Sequence, residues 1–536
     1  MFKRYLALIV FFGLTVLLLE FRPNHDVDVF WRVKLGQLAL EQRELVRADP
    51  FTATCAGEPV PPLYWLSEVF YAALYRLGSW RLLSQVNAFV FAGAFLVAAC
   101  TVRRRETTAP ANLLGMGLGL LIAIPHSAIR PQSFGLLGFA LLLWIAQLDL
   151  RARKKIVLAA MVLIAWQNMH PSVPVAVVVF TAMAGAGWFR WLFDRRAAKP
   201  WMTTALALLA FACTSATPMG WHIFEVSATN ARISRELGIT EWMPAWYPAL
   251  WGESLWFWVA LVFSLVLLAR VGRNVRLEDM AVFFVLAGLA LCVYRFSLFF
   301  AVAMVPVWSR WLHEAATVGR ASPHQTLSPP SLGATNGRGF MATSATVSLL
   351  LLPALILPLL VRPRLFDREI PMRAVRQLRG YGVRGVIYNY REWGGLLIWA
   401  GWPDWKVTID GRLYLFPRKD WQRYREIARG RVPVAQVEQW YRPDVFFLRP
   451  GYHKGFIPLL RASSNWEEVY ADENAVVFIR NHTAATGGCA EHRLLNTSGV
   501  SCDGRIRLPR KHPATKPEIS PPRNTEAVRT GNPSTG

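Results

Sequence analysis

Asp26 and Asp28 stand two residues apart in NHDVDVFW (24–31), directly after the first apolar run of the chain. Carboxylates at that spacing share one side of an extended segment but lie about 200° apart on a helix, so only the extended form aims both into one site. A carboxylate at a lipid surface can take the proton of an acceptor hydroxyl, and a pair can hold a divalent metal, Mg or Mn, through oxygen ligands. Solvated loop charges have the same appearance. Further along the chain come Asp49 in RADPF, Glu68 in YWLSEVF, Arg130 in IRPQSF, His170 in QNMHPSVP, Glu241 in TEWMPAW and Arg295 in YRFS. Arg295 is the sharpest of these, lying between the apolar runs MAVFFVLAGLALCVY and FSLFFAVAMVPVW. A centred arginine costs roughly 2.5–3.5 kcal/mol on insertion scales, and intramembrane charges usually face a cavity and a partner. Two roles fit it: binding an anion, or marking a hairpin tip with a salt bridge to a loop. Arg130 fits an interface anchor as well as a ligand contact, and His170, as a lone histidine, fits a structural role as well as a binding one.

The elements that must position these residues are apolar blocks. The chain has 536 residues, 53% of them hydrophobic, and the blocks approach the length that crosses a hydrocarbon core of roughly 30 Å. Candidate spans are 5–20, 82–100, 111–125, 133–148, 156–168, 172–192, 203–217, 254–269, 279–294, 297–312 and 343–361. The first follows the basic start MFKRY; with no small-x-small cleavage site after it, it reads as a retained span rather than a signal peptide. With the N-terminus cytoplasmic and the spans alternating, the loops TVRRRE (101–106), DLRARKK (149–155), FRWLFDRRAAKP (189–200) and RVGRNVRLED (270–279) all fall inside. These are the Arg/Lys-rich short loops, as the positive-inside rule requires. The opposite face then receives residues 21–80, 125–134, 167–174, 218–253 and 294–297, and with them every candidate residue named above.

Residues 1–312 thus read as a transmembrane core with an outer loop at 21–80, and 313–342, rich in Ser, Pro, Gly and Thr, as a cytoplasmic linker. The span 343–361 returns the chain to the outside, where 365–480 alternates strand and helix patterns and reads as a small extracytoplasmic α/β domain. Within it GVIYN, WKVTIDGR, PDVFFLRP and NAVVFIRN read as strands, KDWQRYREIARG and HKGFIPLLRAS as helices, and EWGGLLIWAGW as a short helix or an apolar turn. Asp410 and Arg412 of TIDGR follow a strand, where α/β proteins often bind ligands; a turn closed by a local ion pair explains them too. Residues 481–536 are polar and basic and read as a disordered tail. The net charge of +24 needs no nucleic acid, because basic residues of membrane proteins gather on cytoplasmic loops. Of six cysteines, Cys100, Cys213 and Cys292 fall in apolar spans, Cys489 and Cys502 could pair if the tail is outside, and no spacing suggests a metal site.

The outer loop resembles that of bacterial GT-C-type polytopic membrane glycosyltransferase-like proteins. The likeness is carried by Asp28, Phe30, Trp31, Gly36, Asp49, Pro50, Phe51, Trp65, Leu66 and Glu68, and by the later blocks IRPQSF, QNMHPS, TPMGWHIF, TEWMPAW, YRFSLFFAVAMVPVW and YNYREWGGLLIWAGWPDWKVTIDGR, spanning most of residues 20–415. One position departs: the group usually has His after the aromatic pair, and here it is Arg32. The resemblance implies an inverting transfer in the cell (inner) membrane, from a polyprenyl-phosphate sugar to an extracytoplasmic glycan, lipid or protein acceptor. Asp28, or Asp26, would be the base. Arg295, with Arg130 and His170, would neutralise the leaving phosphate, and Glu68, Glu241 and Asp49 would line the substrate site. Two other functions remain open. A lipid-linked glycan transporter should show inverted repeats, and none is evident; a non-catalytic membrane assembly protein would explain the Arg32 departure.

Overall fold

The computed structural model describes residues 2–103, 106–317, 356–358 and 360–481. Most of the expected linker 313–342, the first part of the expected span 343–361, and the tail with Cys489 and Cys502 lie outside these residues. The N-terminal part is helical: α1 (Phe2–Phe21), α2 (Asp28–Gln42), α3 (Trp65–Cys100), α4 (Ala109–Ala123), α5 (Gln132–Gln147), α6 (Ala152–Met169), α7 (Pro174–Phe193), α8 (Trp201–Thr214), α9 (His222–Glu236), α10 (Trp251–Val271), α11 (Leu277–Cys292) and α12 (Ser297–Thr317).

Helices stand at ten of the eleven expected span positions; the eleventh lies largely outside the described residues. Four segments are long and apolar enough to cross a membrane by themselves: Trp65–Cys100, Ala109–His126, Pro174–Phe193 and Pro248–Val271. Leu6–Phe21, Gln132–Gln147 and Trp201–Thr214 are apolar but shorter. Length and composition thus support a crossing at these four among the described residues, and the count of about eleven remains the expectation read from the sequence. The rest fall short for local reasons, such as Arg153, Lys154 and Lys155 in the first turns of α6.

Two devices hold the bundle. Gly115 and Gly119 bring α4 onto the backbone of α12: a Cβ at either would lie 3.0 Å from the Val305 carbonyl and 2.8 Å from the Ala301 carbonyl respectively, the close approach that small residues four apart permit. Arg310 of α12 makes a two-pronged ion pair with Asp279 of α11, its Nε donating to Oδ2 at 2.8 Å and its Nη2 to Oδ1. Such a pair keeps both charges satisfied away from water.

The C-terminal part contains α13 (Met372–Gly380), β1 (Gly385–Asn389), α14 (Gly394–Gly401), β2 (Trp405–Val407), α15 (Arg418–Ala428), α16 (Val434–Tyr441), β3 (Val445–Leu448), α17 (Ile457–Arg461), β4 (Trp466–Ala471) and β5 (Val476–Arg480). The sheet order is β2-β1-β3-β5-β4, parallel across β2, β1 and β3 and antiparallel at β5 and β4. The sequence patterns locate β1, β3, β5 and the helices α14, α15 and α17, but the expected strand over 405–412 stops at Val407, and α13, α16 and β4 go unanticipated. VFFL of β3 is apolar throughout because both sheet faces are covered. Phe446 and Leu448 face α15, α16 and α17. Val445 and Phe447 face a second core that includes Val29, Phe30, Trp31 and Val33 of α2.

That second core ties the sheet to the outer loop. Phe30 packs on Trp80, Phe366 and Trp399 at centroid distances of 5.0, 5.0 and 5.6 Å. Thr52 bridges Val407, and Asn24 bridges Phe366, both in parallel sense. The outer loop and the C-terminal sheet are thus one folded body, with α2 between the membrane helices and the sheet.

Candidate functional site

The site starts at the boundary between α1 and α2. Asp26 Oδ1 accepts the backbone N–H of Asp28 at 2.7 Å, so it closes the first turn of α2, where a carboxylate also complements the helix dipole. The pair therefore straddles a loop-to-helix junction instead of lying along an extended segment. Asn24, which the sequence reading passed over, pins this junction. Its Nδ2 donates to the Asp26 carbonyl at 2.7 Å, and its Oδ1 accepts from the Ile129 N–H at 2.9 Å. Nothing in the local pattern marks Asn24, because both of its roles depend on where distant chain ends up.

The loop 127–131 that Asn24 holds delivers Arg130. Its Nε pairs with Asp26 Oδ2, and its Nη1 with Glu241 Oε2 at 2.7 Å. Glu241 sits on the single turn Thr240–Trp242. Backbone bonds from Tyr294 N–H to the Met243 carbonyl and from Ala245 N–H to the Leu291 carbonyl, both 2.9 Å, hold this strap against the tip between α11 and α12. Arg295 at that tip thereby reaches Glu241 Oε1 at 3.7 Å and lies over the Trp242 ring at 4.5 Å. Asp26, Arg130, Glu241 and Arg295 form one chain of alternating charge drawn from four separate segments. Both readings of Arg295 meet here, since it is a hairpin tip salt-bridged to a loop and also a member of the cluster.

The pKa shifts follow from this placement. Burial pushes the Glu241 carboxyl upward, but Arg130 and Arg295 together outweigh it and hold the group at about 2. Burial works against the charge on Arg130, and Asp26 and Glu241 overcome it and raise that group. Asp28 is raised by burial first and by Asp26 second, with Arg32 and Arg130 opposing. Its Oδ1 accepts the indole N–H of Trp31 at 3.1 Å. Gly411, from the loop after β2, closes over it: a Cβ there would stand 2.1 Å from Asp28 Oδ1.

Arg32 and Glu68 form the next layer. The Arg32 guanidinium is stacked between Trp31 (4.3 Å) and Tyr64 (4.1 Å), with Nη1 3.9 Å from Glu68 Oε1. Its Nε and Nη1 are buried and donate to no partner among the described residues. Tyr64 also stacks on His170, with centroids 5.7 Å apart. His170 Nδ1 lies 2.8 Å from Ser172 Oγ, which accepts the Trp166 indole N–H at 2.8 Å. Burial, then Arg295 and Arg32, hold His170 well below its ordinary value. Burial and these cations thus disfavour the charged imidazolium, and the ring can offer a hydrogen bond.

Asp49 is placed apart from the Asp26–Arg295 chain. Its Oδ1 pairs with Arg412 Nη2 at 2.8 Å and its Oδ2 accepts the Thr52 N–H at 3.0 Å. Arg412 in turn pairs with Asp410 at 2.5 Å, all three side chains being closed to solvent. The local ion pair read from TIDGR is present, and Asp49 extends it into a clasp between outer loop and sheet. Both Asp49 oxygens are engaged in this clasp.

Of the oxygens expected to hold Mg or Mn, those of Asp26 are taken. Asp26 has one oxygen on Arg130 and the other on a backbone N–H. Glu68 faces a guanidinium, and no group of three His, Cys, Asp or Glu side chains comes together among the described residues. Arg32 and Arg130 supply the positive charge that such an ion would bring.

No protein-family model matches the chain, and no curated protein matches it. Among solved structures, the oligosaccharyltransferase of Archaeoglobus fulgidus, crystallised with a tethered acceptor peptide containing the NVT sequon, is similar at a TM-score of 0.52 and 11% identity. The match covers 89% of this chain and 74% of that one. The fold is thus like that of the oligosaccharyltransferase, and the apolar helices make this a membrane protein.

Proposed function

We propose that this chain is an integral membrane glycosyltransferase that moves a sugar from a polyprenyl-phosphate donor to an acceptor on the extracytoplasmic side, with inversion. The observation that carries the reading is the charged chain Asp26–Arg130–Glu241–Arg295, assembled beside Asp28 from segments some 270 residues apart, in a fold like that of an oligosaccharyltransferase. In the reaction the Asp28 carboxylate takes the proton of the acceptor as its heteroatom attacks the sugar C1. The bond from C1 to the donor phosphate oxygen breaks, and the phosphate leaves with the electron pair. Arg295 and Arg130 neutralise that leaving charge, which preorganised cations do best in a poorly hydrated site. Arg32, with two buried N–H donors unclaimed, is added to them as a phosphate contact, and His170 contributes a hydrogen bond. Holding donor and acceptor together supplies roughly 7–11 kcal/mol of the barrier reduction.

The test is transfer from a labelled polyprenyl-phosphate sugar by purified Asp28→Asn protein. Loss of the base lowers the rate by about 10²–10⁴-fold while insertion and thermal stability stay as in the parent. Unchanged transfer removes Asp28 as base. The closure of the site by Arg32 and Gly411 favours one second reading, a non-catalytic membrane assembly protein, in which neither parent nor variant transfers any sugar. A lipid-linked glycan transporter has no observation of its own in its favour.

A further inference from the structure

A cavity of about 710 Å³ opens away from Asp28, between the kink of α3 and the segment that leads into α13. Five arginines line it: Arg81, Arg364, Arg368, Arg373 and Arg376. Arg81 is held in place by donating to the carbonyls of Pro358 (3.2 Å) and Pro363 (3.5 Å). The other four have no carboxylate within ion-pair distance among the described residues. Three acids also line it, Asp367, Asp472 and Glu473, and two of them are bonded within their own turns. Asp472 accepts the N–H groups of Asn474 (2.9 Å) and Ala475 (2.7 Å) and the hydroxyl of Tyr470 (2.5 Å). Asp367 accepts the N–H of Glu369 at 3.0 Å. A concave surface on which five guanidinium groups outnumber three carboxyls is a site for an anion, and arginine's planar fork suits phosphate oxygens in particular.

The surroundings point to a membrane lipid as the source of that phosphate. Arg81 lies just past the break at Gly78 and Ser79, where α3 begins its apolar stretch. Leu77 before the break is 79% exposed, and Leu360, three residues before the first lining residue of the second segment, is 74% exposed. Apolar side chains open to the surroundings beside a basic hollow are what a headgroup-and-chain boundary offers. The arginine density also asks for a reason. Seven arginines fall between 362 and 384, and in the topology proposed here that stretch faces away from the cytoplasm, where the positive-inside bias does not explain them.

We propose that this cavity binds the phosphate headgroup of an anionic membrane lipid. The wall of the site reaches the catalytic region, because Asn24 N–H donates to the Leu365 carbonyl at 2.8 Å and Phe366 packs on Phe30. A bound headgroup would therefore brace the segment that presents Asp26 and Asp28. The binding itself holds whether or not the chain transfers sugar.

The test uses the full chain in nanodiscs of phosphatidylcholine mixed with a minor share of spin-labelled phosphatidylglycerol, reading the immobilised label. The parent protein enriches phosphatidylglycerol at its surface over labelled phosphatidylcholine. The triple variant Arg364→Gln, Arg368→Gln, Arg373→Gln loses that enrichment by about tenfold or more, at the contribution typical of basic residues near a lipid surface. The matching triple lysine variant retains most of it, which separates loss of charge from loss of fold. Equal label immobilisation in parent and glutamine variant overturns the proposal. So does full release of the label by inorganic phosphate at a concentration that leaves other lipid contacts intact, since the occupant is then a soluble phosphate.

Discussion

In the proposed reaction, a base at residue 28 must stay ionisable in a place where charge is costly. Burial and Asp26 push the Asp28 carboxyl above its ordinary 3.8, which makes it a better proton acceptor. The sign of the pH effect follows. The proposed transfer needs the carboxylate, so its rate is expected to fall as pH drops through the raised value, with the acid limb of the rate profile above 3.8. Asp26→Asn removes the like charge and moves that limb to lower pH; a limb at the same pH in parent and variant would exclude the coupling. The charge balance around the pair leads to a second expectation. With Arg130 on Asp26 and Arg32 facing Glu68, two carboxylates of the kind Mg and Mn need stand against arginine. Transfer by the purified protein therefore persists unchanged in excess EDTA, and loss of activity restored by added Mg or Mn would show that the cluster opens to admit an ion.

At the scale of elements, the seam between α2 and α3 decides whether the acidic pair is presented at all. Gly36 of α2 lies so close to α3 that a Cβ would stand 1.9 Å from the Glu68 carbonyl oxygen and 2.9 Å from the Ala72 Cβ. Backbone cannot yield as a flexible side chain would, so α2 must move. Gly36→Ala is expected to lower stability by about 1–3 kcal/mol, as overpacked sites do, read as a drop in thermal unfolding temperature in detergent. Transfer should fall with it, since the Arg32–Glu68 contact spans the same seam. A variant as stable and active as the parent would mean that the two helices are not locked together in the membrane.

For the whole molecule, the C-terminal sheet acts as the roof of the outer loop. Its α14 and the residues around Phe366 complete the core that buries Phe30, Trp31 and Trp80, and Gly411 covers Asp28. A chain ending before residue 363 would leave that face of α2 open to water. Limited trypsin digestion in nanodiscs should then cut at Arg32, which is 8% exposed in the full chain, and transfer should be lost. Protection of Arg32 in the truncated protein would show that the loop folds without its roof.

Several features were legible in sequence because they depend on local chemistry. Apolar blocks predict helices, and ten of them appear where the hydropathy changes. Short apolar runs locate β1, β3 and β5, and the outer-loop resemblance anticipates a fold like that of an oligosaccharyltransferase. The acids and arginines at loop tips could be named, but their partners could not. Asp26, Arg130, Glu241 and Arg295 meet only because Asn24 anchors one loop and a backbone strap aligns another. Asp49 had the same appearance in sequence, yet the fold spends it on Arg412, and His170 loses its charge to burial and to neighbours drawn from elsewhere in the chain. Composition and periodicity act over a few residues and so set the elements. Which charges face each other is settled by contacts between segments hundreds of residues apart, and those exist only in the packed molecule.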